Sequence, residues 1–545
     1  MWAPSSRYLR RCGVAVACLA GASALIADPA LARPRDANTT TAQGRLHALQ
    51  PVSYRLLGMG GLDLAVRDGL NRTNLYQFGG ISAGLGVDRD STSLDLRAGG
   101  EGATRDVLRG DRTEEIARSS ESNYELEGIL RFSETLAFGA DLALPTRRGA
   151  VPYDNLSNTS TSYFEPAANV MMSGRLFGPV LWGLNALFAG RNFSQDWWQN
   201  QLQFRRNPWT GETSDYRWTI GTAAGKIEAP NFFAPSDGRV RTGGFGGSIA
   251  YQYKNRGEAA FYVLRSSEDV HTEQSGERRL YDTEEKRQPK DFGFAVVARP
   301  SESSEAGVTM GRSTWNSSVD YRFSLSGGST GIPVQSRGDR SLHKYRADYL
   351  DGRYQGAVLV DGLTLGADVR VGYERAHEAP ATTPGNFNDF VLSTATVDTL
   401  IAPPLVYESV RESRDLGFGA GASYTLPQFP VLVGVEYHWR REAQHGTLHE
   451  RRPQGWNVRL GGEWMPNETW AGRLGWVHDV GDADRLTPLN EGVADRFTMG
   501  GTWQAQSGWT ADGFVQAAWG RTEYADPLGA LEKGWALGFS LGRLF

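Results

Sequence analysis

The residues able to do chemistry fall into a few groups. Gly80-Ile81-Ser82-Ala83-Gly84 is a G-x-S-x-G pattern, the spacing of an elbow that exposes a serine hydroxyl between a strand and a helix. Glycine-rich, strand-like sequence continues through Leu85 and Val87, so the segment reads as turn glycines around a serine. His445 and His449 stand beside Glu442 and Glu450, which are zinc-ligand types. There is no H-E-x-x-H, and Arg440, Arg441, Arg451 and Arg452 share the stretch, so it reads as a solvated loop. Asp479, Asp482 and Asp484 offer oxygens suited to calcium but lack the twelve-residue loop that normally holds it. No cofactor and no resident metal is therefore expected. No serine, histidine and acid fall together on adjacent faces, so an enzyme is not expected either. A last group is Asp141, Arg175, Asn185, Asp368, Arg370, Glu436, His438, Arg459, Glu463 and Arg473. Its meaning depends on the elements that carry it.

Compartment comes first. Arg7, Arg10 and Arg11 precede an apolar run from Cys12 to Ala27, and Ala30-Leu31-Ala32 supplies small residues for cleavage. Residues 1–32 thus read as a secretory signal peptide. Both cysteines, Cys12 and Cys18, lie inside it, which leaves no disulfide framework and no thiolate metal site in the mature chain. Losing Arg7, Arg10, Arg11 and Asp28 takes the net charge from -5 to about -7, against nucleic-acid binding. Mean hydropathy is -0.42, and no run after the signal is long and apolar enough for a membrane helix. Yet there are 16 Trp, 20 Tyr, 23 Phe and 66 Gly. A chain polar on average but rich in aromatics and glycine suits strands that face lipid on one side and water on the other.

Alternation at period two supports this. Trp456, Val458, Leu460, Gly462 and Trp464 alternate with Asn457, Arg459, Gly461 and Glu463. Leu363, Leu365, Ala367, Val369, Val371 and Tyr373 alternate with Thr364, Gly366, Asp368, Arg370, Gly372 and Glu374. Val431, Val433, Val435, Tyr437 and Trp439 repeat the pattern, and so do Leu416, Phe418, Ala420, Ala422 and Tyr424. Tight turns are expected at 133–135, 177–179, 254–257, 300–305, 361–362, 427–430, 466–468 and 506–508, each with the small or polar residues a hairpin needs. Long polar loops are expected at 99–123, 145–166, 190–243, 265–290, 312–344, 374–415, 440–455, 479–495 and 520–533. The sequence therefore predicts an all-β, transmembrane, antiparallel β-barrel of about 18 strands, with 16–18 as the range. Short periplasmic turns would alternate with long outer loops. The expected place is the outer membrane of a Gram-negative bacterium, with outer-membrane lipids and lipopolysaccharide around it. In this frame the ten polar residues face inward and line a wet lumen of mixed charge.

The last strand alternates Trp535, Leu537, Phe539 and Leu541 with Ala536, Gly538, Ser540 and Gly542, and ends on Phe545. It resembles the C-terminal strand that the barrel-assembly machinery reads, with Phe545 as the assembly signal and Arg543 departing from the usual apolar residue. Three regions follow: 1–32 the signal, 33–90 a periplasmic or luminal segment, and 91–545 the barrel. Within 33–90 stand Leu57-Gly58-Met59-Gly60-Gly61, Leu64-Ala65-Val66, Asp68 and Asn74-Leu75-Tyr76. This stretch resembles the start of long-chain fatty-acid transporter-like barrels, whose "NPA" element is absent here, with Gly80-Ile81-Ser82-Ala83 in its place. The resemblance implies a hatch inside the lumen. The expected function is a channel or passive transporter for small solutes, hydrophobic ones included. A polymer-export or secretion-accessory barrel working with periplasmic partners is the alternative. Loop 190–243, with Trp197, Trp198, Trp209 and Trp218, is the other candidate constriction.

Overall fold

The computed structural model describes residues 53–66 and, from 92 to 544, the strands and most of their short turns. The main stretches outside it are 1–52, 67–91, 200–235, 326–334, 381–408, 482–492, 523–529 and residue 545. The chain forms one antiparallel sheet of eighteen barrel strands. They are β1 (Ser93–Arg109), β2 (Arg112–Ser133), β3 (Leu136–Ala143, continued by Thr146–Tyr153) and β4 (Ser157–Phe164, continued by Ala167–Phe177). Next come β5 (Val180–Gln199), β6 (Ser236–Tyr253), β7 (Gly257–Ser275), β8 (Arg279–Arg287, continued by Lys290–Ser301) and β9 (Ser304–Leu325). β10 (Gln335–Ala357), β11 (Leu363–Pro380), β12 (Ser409–Thr425) and β13 (Val431–Gly446) follow. The last are β14 (Glu450–Arg451, continued by Gln454–Trp464), β15 (Trp470–Gly481), β16 (Val493–Gln504), β17 (Trp509–Thr522) and β18 (Ala530–Leu544).

Each strand pairs with the next, and β1 closes on β18 in register from Ser93↔Leu544 to Val107↔Ala530. Closure leaves no open edge, the condition for a sheet to sit in lipid. All four strand interruptions contain a proline in the sequence, Pro145, Pro166, Pro289 and Pro453. Proline has no N–H for the ladder, but its carbonyl still serves: Gly190 N–H bonds Pro166 O at 2.8 Å and Ser266 N–H bonds Pro289 O at 3.0 Å.

All eight expected tight turns fall between consecutive strands. At 361–362, Gly362 takes φ +82°, which a side chain would resist. The expected long outer loops are shorter than the sequence suggests. The segment 99–123 is mostly β1 and β2, whose register runs to Arg109↔Arg112. The segment 440–455 is the tip of the β13–β14 hairpin. Beyond the bilayer both strand faces are wet, so polar strand sequence loses the alternation that marks it.

Burial follows the alternation. Phe245, Ile249, Phe261, Val369, Val433, Leu460, Leu474, Met499 and Phe539 are exposed on the outward face, a broad apolar belt. Glu436, Asn457, Arg459, Glu463, Arg473 and Asp479 are buried on the inward face. Among the described residues no helix is long enough to cross a membrane. The helix α1 (Tyr54–Gly58) lies inside, where it meets β15 to β18.

Candidate functional site

The inward residues of β10 to β18 hold residues 53–66 against the wall. Ser53 caps α1, its Oγ accepting from Leu56 N–H at 3.3 Å. Just beyond the helix, Gly60 and Gly61 both sit at φ near +80° (77° and 79°), which turns the chain along the wall. The wall is flattened to receive it. A Cβ on Gly461 or Gly475 would strike the backbone at Met59 and Gly60, and one on Gly366 would strike Leu64. Gly434, Gly461 and Gly475 are register partners on neighbouring strands and form a trough across β13, β14 and β15.

Polar groups then fix the segment at both ends. The Glu436 carboxylate accepts three successive backbone N–H groups: Asp63 at 3.1 Å, Leu64 at 2.7 Å and Ala65 at 2.9 Å. Gln355 Nε2 donates to Leu64 O at 2.8 Å and Ser423 Oγ to Ala65 O at 2.7 Å. Arg459 Nη1 donates to Gly61 O at 2.6 Å and to Asp63 Oδ1 at 3.1 Å, and Arg353 donates to Asp63 O. At the helix end, Arg55 Nε donates to Glu463 Oε1 at 2.9 Å. Glu463 also takes Arg473 Nε at 2.7 Å, and Arg473 continues to Asp512 at 2.6 Å. The Glu463 and Arg473 side chains are 1 % and 2 % exposed, so this ion chain is desolvated. Burial opposes the charge of Asp63, but Arg459, Arg353 and His438 outweigh it and hold that carboxyl below the usual carboxylate range.

Apolar contacts complete the seat. Leu56, Met59, Leu62 and Val66 cluster with Leu432. Tyr54 and Leu57 pack on Phe514 and Ala536, the Tyr54 and Phe514 ring centres 5.4 Å apart. A cavity of ≈560 Å³ opens on the turn side of α1, between Tyr54 and Arg55 and the wall residues Arg97, Trp470, Asp512 and Arg543.

Of the ten inward candidates, the site gathers Glu436, Arg459, Glu463 and Arg473 directly. His438 joins through Glu436, 3.2 Å away. Asp368 faces inward on β11, level with Gly419 of β12. Arg370 also faces inward but bonds Asp351 at 2.9 Å and stays half-exposed. Asp141 and Asn185 are buried elsewhere on the wall, Asn185 donating to Asn169 at 3.5 Å. Arg175 is exposed at a hairpin end, where it donates to Gly178 O at 2.7 Å and so braces its own turn. Phe545 and Gly80–Gly84 lie outside the described residues. The trough glycines are not among the ten, although glycine at inward positions whose neighbours are polar is a readable signal.

Two chemical readings change. Asp479 is not part of an outer loop: it is buried in the β15 wall, 3.9 Å from Arg496, while 482 and 484 lie outside the described residues. A serine, a histidine and carboxylates do meet on adjacent inward faces, contrary to expectation. Ser317 donates to Glu285, and His343 Nδ1 lies 3.1 Å from the same carboxylate. His343 Nε2 faces Glu378 at 2.9 Å. Both ring nitrogens thus face carboxylates, and the histidine is not aimed at the hydroxyl. Asp63, Glu436 and His438 have metal-ligand spacing, but Glu436 is already committed to three N–H groups.

A closed barrel with an apolar belt outside and a charged wall inside defines an outer-membrane β-barrel protein. Several solved structures are similar to it. A Pseudomonas aeruginosa FadL homologue matches at TM-score 0.37 and 11% identity, covering 90% of this chain and 98% of that one. The Ralstonia pickettii toluene transporter TbuX gives 0.37 and 11%, covering 91% and 99%. The ferric yersiniabactin uptake receptor FyuA from Yersinia pestis gives 0.40 and 9%, covering 83% and 80%. No protein-family model matches the chain, and no curated protein matches it in sequence. These likenesses span unlike solutes, so the functional reading rests on the site.

Proposed function

We propose that this barrel is a passive channel for small solutes, hydrophobic ones included, and that segment 33–90 acts as a hatch in its lumen. The observation that carries this is the bonding of residues 53–66 across β10 to β18. A barrel of about eighteen strands encloses more space than its own side chains fill, and wide barrels are commonly narrowed by an inserted segment. A segment seated by a glycine trough and a buried ion chain is built to stay there, which suits control of flow. The hydrophobic part of the reading rests on the resemblance of this segment to the fatty-acid transporter-like family.

The test is deletion of residues 45–80 followed by planar-bilayer recording. The expected result is a higher single-channel conductance from a barrel that remains heat-modifiable. Proteoliposome uptake of an uncharged aromatic hydrocarbon, compared with a sugar of similar size, then tests solute preference. Unchanged conductance in the folded deletion variant would remove the hatch and leave the segment between β5 and β6 as the better constriction.

A further inference from the structure

Above its apolar belt the outward face of the barrel is uneven. Arg265 of β7 pairs with Lys290 of β8, and Lys290 with Thr314 of β9. Thr314 pairs with Arg346 of β10, and Arg346 with Arg375 of β11. Period two puts this row on the face that carries Val263, Phe292, Met310, Leu350 and Val371. The cations therefore begin where the belt ends. Neighbouring strands lie about 5 Å apart, so the row spans roughly 20 Å.

Arg312, two residues nearer the belt, shares Asp348 with Arg346: the two Nε atoms bond its oxygens at 2.5 and 2.6 Å. That carboxylate sets two guanidiniums side by side while they remain 40% and 50% exposed. Lys344 borders the row on the outer side, and Glu412 lies 3.5 Å from Arg375. Six cations thus face two carboxylates, in a chain whose net charge is -5.

We propose that this shelf docks the phosphorylated headgroup of an outer-leaflet glycolipid, with phosphates on the Arg265–Arg375 row and acyl chains on the belt of β7 to β11. Guanidinium groups pair phosphate bidentately, and a basic row at a lipid interface attracts anionic headgroups. Charge complementarity and the position of the row select this occupant. The inference requires the short turns to face the periplasm and is independent of the channel reading.

The test uses the full chain in detergent with bisphosphorylated lipid A, its dephosphorylated form, phosphatidylglycerol and inorganic phosphate, read by native mass spectrometry. Saturable binding of bisphosphorylated lipid A is expected, at least tenfold tighter than the dephosphorylated form. R265Q/K290Q/R346Q/R375Q should lose that preference while keeping wild-type conductance. Equal binding of phosphatidylglycerol, equal binding by the variant, or inorganic phosphate competing mole for mole would overturn the proposal. Should the quadruple variant not fold, R265Q/K290Q and the wild-type phosphate discrimination decide the matter alone.

Discussion

Glu463 joins two arginines that come from opposite ends of the sequence. It takes Arg55 from the segment and Arg473 from the wall, all but excluded from water. Removing it frees Arg55 from its tie to the wall and leaves Arg473 with the Asp512 carboxylate alone. Breaking a fully buried pair costs about 3–5 kcal/mol, an upper bound here because Arg55 is partly exposed. Glu463→Ala should therefore release the helix end of the segment and raise open-channel conductance without loss of heat-modifiable barrel. Wild-type conductance in this variant would mean the seat does not depend on the ion chain. Asp63 gives a second handle. Its carboxyl is depressed when docked, although burial alone would raise it. A depressed carboxylate stabilises docking above its undocked value, near 3.9, and that contribution is lost as pH falls through the docked value. Conductance should stay low at neutral pH and rise on acidification below about pH 4. Arg459, Arg353, His438, Glu436 and Asp368 face this carboxyl, so part of the rise should vanish in Asp63→Asn. An identical acid response in that variant would place the titration on another group.

At the scale of the strand, facing was legible wherever lipid lies on one side. Val369 and Arg370 are the sharpest case, with Val369 exposed on the belt and Arg370 turned to Asp351. Val369→Arg should destabilise the barrel by about 2–4 kcal/mol if that position lies near the bilayer midplane, with little effect near its edge. Arg370→Ala should leave stability nearly unchanged and alter conductance. Urea titration of the two variants in lipid vesicles checks this, and equal losses would undo the facing of β11. Legibility failed above the bilayer. The outer part of 99–123 reads as a loop because strand sequence beyond the bilayer loses the alternation that marks it, although β1 and β2 stay paired to Arg109↔Arg112. It failed again at α1, because five residues are too few to show a helical period, and the Ser53 cap is visible only once the segment has a wall to end on.

For the whole molecule, the mechanism turns on whether solute passes a fixed segment or a moving one. The bonds and packing described above that seat residues 53–66 run to the half of the wall from β10 to β18, and Tyr54 and Arg55 line the turn-side cavity together with Arg97 of β1. The seat itself, unlike the barrel, was only half legible: the run Leu57-Gly58-Met59-Gly60-Gly61 stands out in the sequence, but Gly461 and Gly475, which receive Met59 and Gly60, lie some 400 residues away and meet them only after closure. That geometry also supplies a lock. A Cβ built on Gly421 would stand 3.3 Å from the Ala65 Cβ, just under the separation a disulfide spans, and 2.6 Å from Glu436 Cγ, which must shift to admit it. The two native cysteines, Cys12 and Cys18, both precede the segment. In a chain lacking residues 1–32, Ala65→Cys with Gly421→Cys should form one cross-link. If permeation requires the segment to leave its trough, the oxidised form should carry solute at least tenfold more slowly than the reduced form, and dithiothreitol should restore flux within one sample. Equal flux in the two redox forms, with the cross-link verified by mass spectrometry, would show that solute bypasses a stationary segment, through the half of the lumen bounded by β1 to β9.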